Sequence, residues 1–154
     1  MAKPTLYMMM GLPASGKSTW IKNNLVEGRA AVVSPDLVMT NPETGAYVWS
    51  PEACSQAWAL SYRMAGALLS AGKDVVFDAT FCSVISRSAL LNLALGMGAT
   101  VHGVYIKTSA KECKARNALR SVDRRVPEEV LTEMADTFEA PTAMEGFDIL
   151  YSTT

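Results

Sequence analysis

Residues 11–19 read GLPASGKST and follow directly on the apolar run LYMMM at 6–10. Two glycines, a lysine and a hydroxyl in that order match the pattern G-x-x-x-x-G-K-[ST], here placed after an apolar strand and before a helix, as the pattern requires. Gly11 and Gly16 let the backbone curl so that its amides point inward at phosphate oxygens, while a helix starting near Lys17 turns its positive end to the same place. Lys17 is expected to reach the β and γ phosphates of a nucleoside triphosphate, and Ser18 to ligate Mg2+. Pro13, Ala14, Ser15 and Thr19 complete the expected nucleotide-binding loop. A glycine-rich turn with an exposed lysine is the bland alternative, and the flanking strand and helix count against it.

Working outward, short apolar runs alternate with longer segments of helical periodicity, the pattern of a parallel sheet with crossover helices. Strands are expected at 6–10, 30–33, 75–77, 101–106 and 147–151, covered on both faces. Helices are expected at 17–26, 51–70, 86–97, 110–119 and 127–139. In the last of these Pro127 suits a first helical position, Glu128 and Glu129 favour the positive start, and Val130, Leu131, Met134 and Phe138 share a face. Pro141 is expected to stop it, and the glycines of SAGKD and LGMGAT to cap the helices before them. Residues 40–50, TNPETGAYVWS, read as an irregular excursion. The fold class is α/β: a P-loop NTPase three-layer sandwich with a central parallel sheet of about five strands, helices on both faces and an arginine-rich lid.

The 154 residues, 49% hydrophobic, suffice for one core, so a single domain over 1–154 is expected. A formal net charge of −1 gives no global pull toward polyanions or anionic membranes. Cys54, Cys82 and Cys113 lack the paired spacing of a disulfide framework or zinc site, which suits a reducing compartment. With no signal-peptide pattern and no run of membrane-spanning length, a cytoplasmic location is expected, the host cytoplasm if the chain is phage-encoded. The residues specify no oligomeric state.

Two aspartates follow strands: Asp36 after AVVSP and Asp78 after DVVF. Both fall at carboxyl ends of parallel strands, the edge where ligands bind in open α/β sheets. Each could serve as a base or a magnesium partner, or as a turn or helix cap. The third element is basic: 107–125 holds Lys107, Lys111, Lys114, Arg116, Arg120, Arg124 and Arg125 against Glu112 and Asp123. Arg116 and Arg120 share a helix face. A closing arginine segment, a lid at about 116–126, would neutralise charge during phosphoryl transfer and exclude water. A solvated helix face, or pairing with the acidic helix that follows, is the competing reading.

GLPASGKSTW, SPD, FDAT and RNALRSVDRRVPEEVLTEMADTFEAP, in that order, resemble the 5′-hydroxyl kinase module of phage-type polynucleotide kinases, within the small P-loop kinases that include zeta-toxin-like enzymes. The resemblance implies an ATP-dependent kinase in which Lys17 and Ser18 hold ATP and Mg2+, Asp36 is the base on the acceptor hydroxyl, and Arg120 stabilises the transferring phosphoryl group. It places Asp78 and Thr80 on the acceptor side and Arg116 near the nucleotide. The implied acceptor is a nucleic acid, DNA, through its 5′-hydroxyl. The family has an arginine three residues beyond the aspartate to grip a phosphate, where this chain has Met39. Either Arg63 or Arg87 substitutes, or the acceptor differs, as a hydroxymethyl group on a DNA pyrimidine such as 5-hydroxymethyluracil would. A small-molecule acceptor and a slowly hydrolysing ATP switch are the other readings. Tyr47 and Trp49 could stack on a base, Trp20 and Trp58 read as core, His102 as structural, and the nine methionines as buried filler.

Overall fold

The computed structural model describes residues 2–25 and 29–153. Strands β1 (Thr5–Met10), β2 (Ala31–Val33), β3 (Val75–Phe77), β4 (Thr100–Tyr105) and β5 (Ile149–Ser152) form one sheet. All pair in parallel, in the order β2-β3-β1-β4-β5. Each differs from the expected strands by two residues or fewer at either end.

Alternation along β1 assigns the layers. Leu6, Met8 and Met10 point to one face with Val75, Phe77 and Val101, where they meet α3 (Pro51–Ser70) through Ala65 and Leu69, and α4 (Val84–Gly96) through Leu90, Leu91 and Ala94. Met9, Val76, Val104 and Ile106 point to the other face, against Trp20 and Ile21 of α1 (Lys17–Asn24). A third cluster joins Leu12 of the glycine-rich loop to Cys113 of α5 (Ala110–Ala118) and Leu131 of α6 (Glu128–Thr137). Loop and closing segment therefore share a small core.

Helix ends depart from expectation for local reasons. The first helix stops at Asn24, and Val26 lies outside the described residues. Ser83 and Ser86 form a reciprocal capping box, so α4 starts at Val84, two residues early. Pro127 caps α6 from an extended backbone rather than opening it. That helix ends well before Pro141, because Phe138 turns extended and stacks on Tyr105 with ring centroids 5.4 Å apart. Gly72 and Gly98 stand in left-handed backbone just past α3 and α4, as caps.

Two features were not expected. Residues Pro35–Val38 form a short helix, which we label with its place in the chain as α2. The excursion is a hairpin held by the Thr40–Tyr47 bridge and by hydrogen bonds from Asn41 N to Ala46 O (2.8 Å) and Val48 N to Met39 O (3.1 Å). Met8, Met9 and Met10 are buried as filler, whereas Met144 is 94% exposed. Trp58 packs among Phe77, Phe81 and Tyr62, and His102 lies edge-on to Tyr7 and Tyr151.

Candidate active site

The loop from β1 to α1 is a cradle that only small groups can line. Gly11 has φ +153° and Gly16 φ +106°. A Cβ on Gly11 would lie 2.8 Å from Ser15 Oγ and 2.9 Å from the Ile106 carbonyl oxygen. Gly16 precedes α1 without a side-chain cap, which leaves the first-turn amides of Lys17, Ser18 and Thr19 unshielded by any side chain. Ser15 is buried and its hydroxyl has no partner among the described residues. An orphaned buried hydroxyl, a cradle closed to Cβ atoms and an uncapped helix start fit the phosphate chain of a nucleotide, with Ser18 and Thr19 exposed beside it.

Lys17 folds onto this loop, its ammonium donating to the carbonyls of Gly11 (3.0 Å) and Leu12 (2.9 Å). Burial pushes its pKa down; nearby Asp78 opposes that shift and Arg120 adds to it. The Asp78 carboxyl is pushed up by burial, drawn down by Lys17 and raised again by Asp36. These couplings bring Lys17, Asp36, Asp78 and Arg120 into one electrostatic neighbourhood. Thr80 joins them through its carbonyl, which accepts from Gly11 N at 3.1 Å.

Asp36 sits in the first turn of α2 and is exposed. Its Oδ1 accepts from the Tyr47 hydroxyl at 3.1 Å, and its backbone carbonyl accepts from Thr40 Oγ1 at 2.7 Å. Tyr47 is thus turned toward the carboxylate, while Trp49 is 59% exposed.

The basic segment approaches from the other side. Arg116 Nη1 donates to the Ser15 carbonyl at 3.2 Å and pairs with Glu112 at 3.0 Å, which puts it against the loop. Arg124 Nη2 lies 3.4 Å from the Gly45 carbonyl, with its guanidinium over the Tyr47 ring. Among the described residues only Arg87–Glu145 and Arg116–Glu112 form ion pairs, so the pairing of lid arginines with α6, the competing reading, is absent there. Buried Asn117 hydrogen-bonds Val126 and closes the base of the segment, a role its position beside Arg116 did not disclose.

Of the three other acceptor-side candidates, two are buried. Arg87 is fully buried, with Nε and Nη2 on Glu145 (2.8 and 3.2 Å) and Nη1 on the Phe81 carbonyl (2.8 Å), so it has no free edge for a substrate phosphate. Met39 is buried at the C-terminal cap of α2. Arg63 is exposed midway along α3. Arg87 instead supports Phe81, whose φ of +46° is the strained step after Asp78 and Thr80.

A protein-family model described as an AAA domain matches residues 6–141. The chain belongs to that family. Within it the chain has a P-loop kinase fold and is similar to polynucleotide kinases. The bifunctional polynucleotide phosphatase/kinase of Schizosaccharomyces pombe is 23% identical over 145 residues, 92% of this chain and 31% of that protein. The chain therefore spans about a third of the length of that curated relative. A chain of the Pnkp1/Rnl/Hen1 RNA repair complex superposes with TM-score 0.74 at 20% identity, over 89% of this chain and 44% of that one. Chaetomium thermophilum Kti12 in complex with ADP-AlF3 gives 0.71 at 18% identity, over 96% and 88%. A gluconokinase from Sinorhizobium meliloti gives 0.64 at 18% identity, over 99% and 84%. The three solved structures and this chain share the fold. No helix among the described residues is long and apolar enough to cross a membrane.

Proposed function

We propose that this P-loop kinase transfers the γ-phosphoryl group of ATP to a hydroxyl of a nucleic acid, the 5′-hydroxyl of a DNA strand being the first candidate. The observation that carries the reading is Asp36: an exposed carboxylate, oriented by Tyr47, on the same strand edge as the Gly11–Thr19 loop. Likeness to a polynucleotide phosphatase/kinase supports a nucleic-acid acceptor.

In this mechanism Gly11, Ser15, Gly16 and the amides of α1 hold the phosphate chain, with Pro13, Ala14 and Thr19 shaping the loop and Ser18 holding the Mg2+. When bound, ATP and Mg2+ supply the phosphoryl group and part of its charge compensation. With Oδ1 tied to Tyr47, the Asp36 carboxylate has Oδ2 left to accept the acceptor proton. Lys17 and Arg120 compensate negative charge as it shifts toward the leaving side. Arg116 braces the loop beneath the nucleotide, and Asp78 and Thr80 form the wall behind the acceptor.

A second reading takes a hydroxymethylated pyrimidine of DNA as acceptor. It is favoured by Met39 standing buried where the family has an arginine and by the capture of Arg87 by Glu145, which leave Arg63 alone of the two candidates to grip a phosphate beside the reacting hydroxyl. The test is transfer of labelled γ-phosphate from ATP to two synthetic DNAs, one with a free 5′-hydroxyl and one with blocked ends and hydroxymethylated pyrimidines. Label on the first supports the end kinase, and label on the second alone supports the base kinase. Label on neither overturns the nucleic-acid acceptor and turns attention to small alcohols. Asp36→Asn should abolish transfer in either positive case while ATP binding survives.

A further inference from the structure

The catalytic aspartate of the proposed function stands on a four-residue helix in solvent, a poor platform for a group that must be aimed to a fraction of an ångström. What steadies it comes from the hairpin eleven residues on. The Tyr47 hydroxyl donates to Asp36 Oδ1 at 3.1 Å, and Thr40 Oγ1 donates to the Asp36 carbonyl at 2.7 Å. Thr40 and Tyr47 are themselves joined by the hairpin's one antiparallel bridge, so both grips belong to one rigid unit.

That unit is held in turn from the closing segment. The Arg124 guanidinium carbon lies 5.6 Å from the Tyr47 ring centroid, and Nη2 lies 3.4 Å from the Gly45 carbonyl and 3.5 Å from Thr40 Oγ1. Four residues earlier in the same segment, Arg120 acts on the Lys17 ammonium. One stretch of chain, clamped at its base by Asn117, therefore reaches the phosphate side through Arg120 and the acceptor side through Arg124. Burial and the neighbouring Asp36 push the Tyr47 phenol up to about 12, so it remains a proton donor to the carboxylate at neutral pH.

We propose that Tyr47 is a positioning residue for Asp36, and that Arg124 couples it to the closing segment so that the base is aligned when the segment lies over the nucleotide. This inference rests on the reading of Asp36 as the base. It gives the Thr40–Tyr47 hairpin a task in catalysis separate from contact with the acceptor.

The experiment compares kcat and KM for labelled phosphate transfer by the full chain, using whichever of the two synthetic DNAs takes label. Tyr47→Phe keeps the ring under Arg124 but loses the hydroxyl; kcat should fall about tenfold or more, with KM for ATP unchanged. Arg124→Ala should lower kcat, with partial rescue in Arg124→Lys, and should have a smaller effect in a Tyr47→Leu background. Wild-type kcat in Tyr47→Phe, or an Arg124→Ala penalty of equal size with and without the Tyr47 ring, overturns the inference. Asp36→Asn, assayed alongside, separates the two failures. Transfer surviving in Asp36→Asn removes the base and this inference with it, whereas an inactive Asp36→Asn beside an unaffected Tyr47→Phe removes the inference alone.

Discussion

Asn117 and Val126 are bonded in both directions across nine residues, the side-chain amide donating to the Val126 carbonyl at 2.7 Å and the side-chain oxygen accepting from its N–H at 3.0 Å. The buried side chain substitutes for a missing stretch of secondary structure and turns residues 118–125 into a closed loop. Everything the closing segment does depends on that ring staying shut.

Asn117→Ala leaves both Val126 groups without their partner. The expected cost is about 1–3 kcal/mol, read as a lower urea midpoint with unchanged slope. Transfer should fall as well, because Arg120 and Arg124 lose their common anchor. Asn117→Asp keeps an acceptor for the Val126 N–H but sets a buried carboxylate against the Val126 carbonyl, and should be no milder than Asn117→Ala at neutral pH.

The Arg87–Glu145 pair is the second structural dependence. Removing one member strands a buried charge, so Glu145→Gln or Arg87→Met should cost about 3–5 kcal/mol. Replacing both at once, Arg87→Met with Glu145→Leu, should return much of that loss in thermal or urea denaturation. If the double variant is no more stable than either single one, the Phe81 carbonyl contact of Arg87, not the ion pair, dominates.

How far these dependences could be read in the residues follows from how local each one is. The Gly11–Thr19 loop announces itself because its chemistry lies within nine consecutive residues, and β1 and β3 because apolar runs bounded by turns have few other fates. Arg87 misled because an arginine on a helix gives no sign of a carboxylate 58 residues ahead. Tyr47 escaped because its link to Asp36 depends on the register of a hairpin centred on Asn41 and Gly45, whose turn residues advertise a loop but not a pairing. Asn117 was visible only as a neighbour of Arg116, since a side chain that closes a loop looks, in one dimension, like any polar residue near a helix end.

Asp78 links pH to stability with a definite sign. Its carboxyl is pushed up in the folded protein, by burial above all, so the native state holds that proton more tightly than the unfolded chain. The resulting stabilisation is fully present below the unfolded carboxylate value, about 4, and is lost as pH rises through the raised folded value. Asn carries no charge at any of these pH values. Asp78→Asn should therefore gain in Tm relative to wild type between pH 4 and pH 7, while transfer falls. A relative gain that shrinks on the same path would mean the attraction of Lys17 outweighs burial.

Ser15 offers the sharpest separation of binding from folding. Its hydroxyl is buried and unpartnered, an arrangement that costs the folded chain about 1–3 kcal/mol in protein substitutions. Ser15→Ala removes the unsatisfied group with almost no change of volume, and the cradle tolerates it because Ser15 Oγ is the nearest atom to the empty Cβ position of Gly11. Stability should hold or rise. Nucleotide affinity should fall about tenfold, the loss of one hydrogen bond to a charged phosphate oxygen, measured as a smaller rise of Tm at saturating ATP and a weaker Kd. The two signs are opposite, so a purely structural serine cannot reproduce them: a hydroxyl that served only the fold would lower Tm on removal and leave the ATP-dependent rise intact.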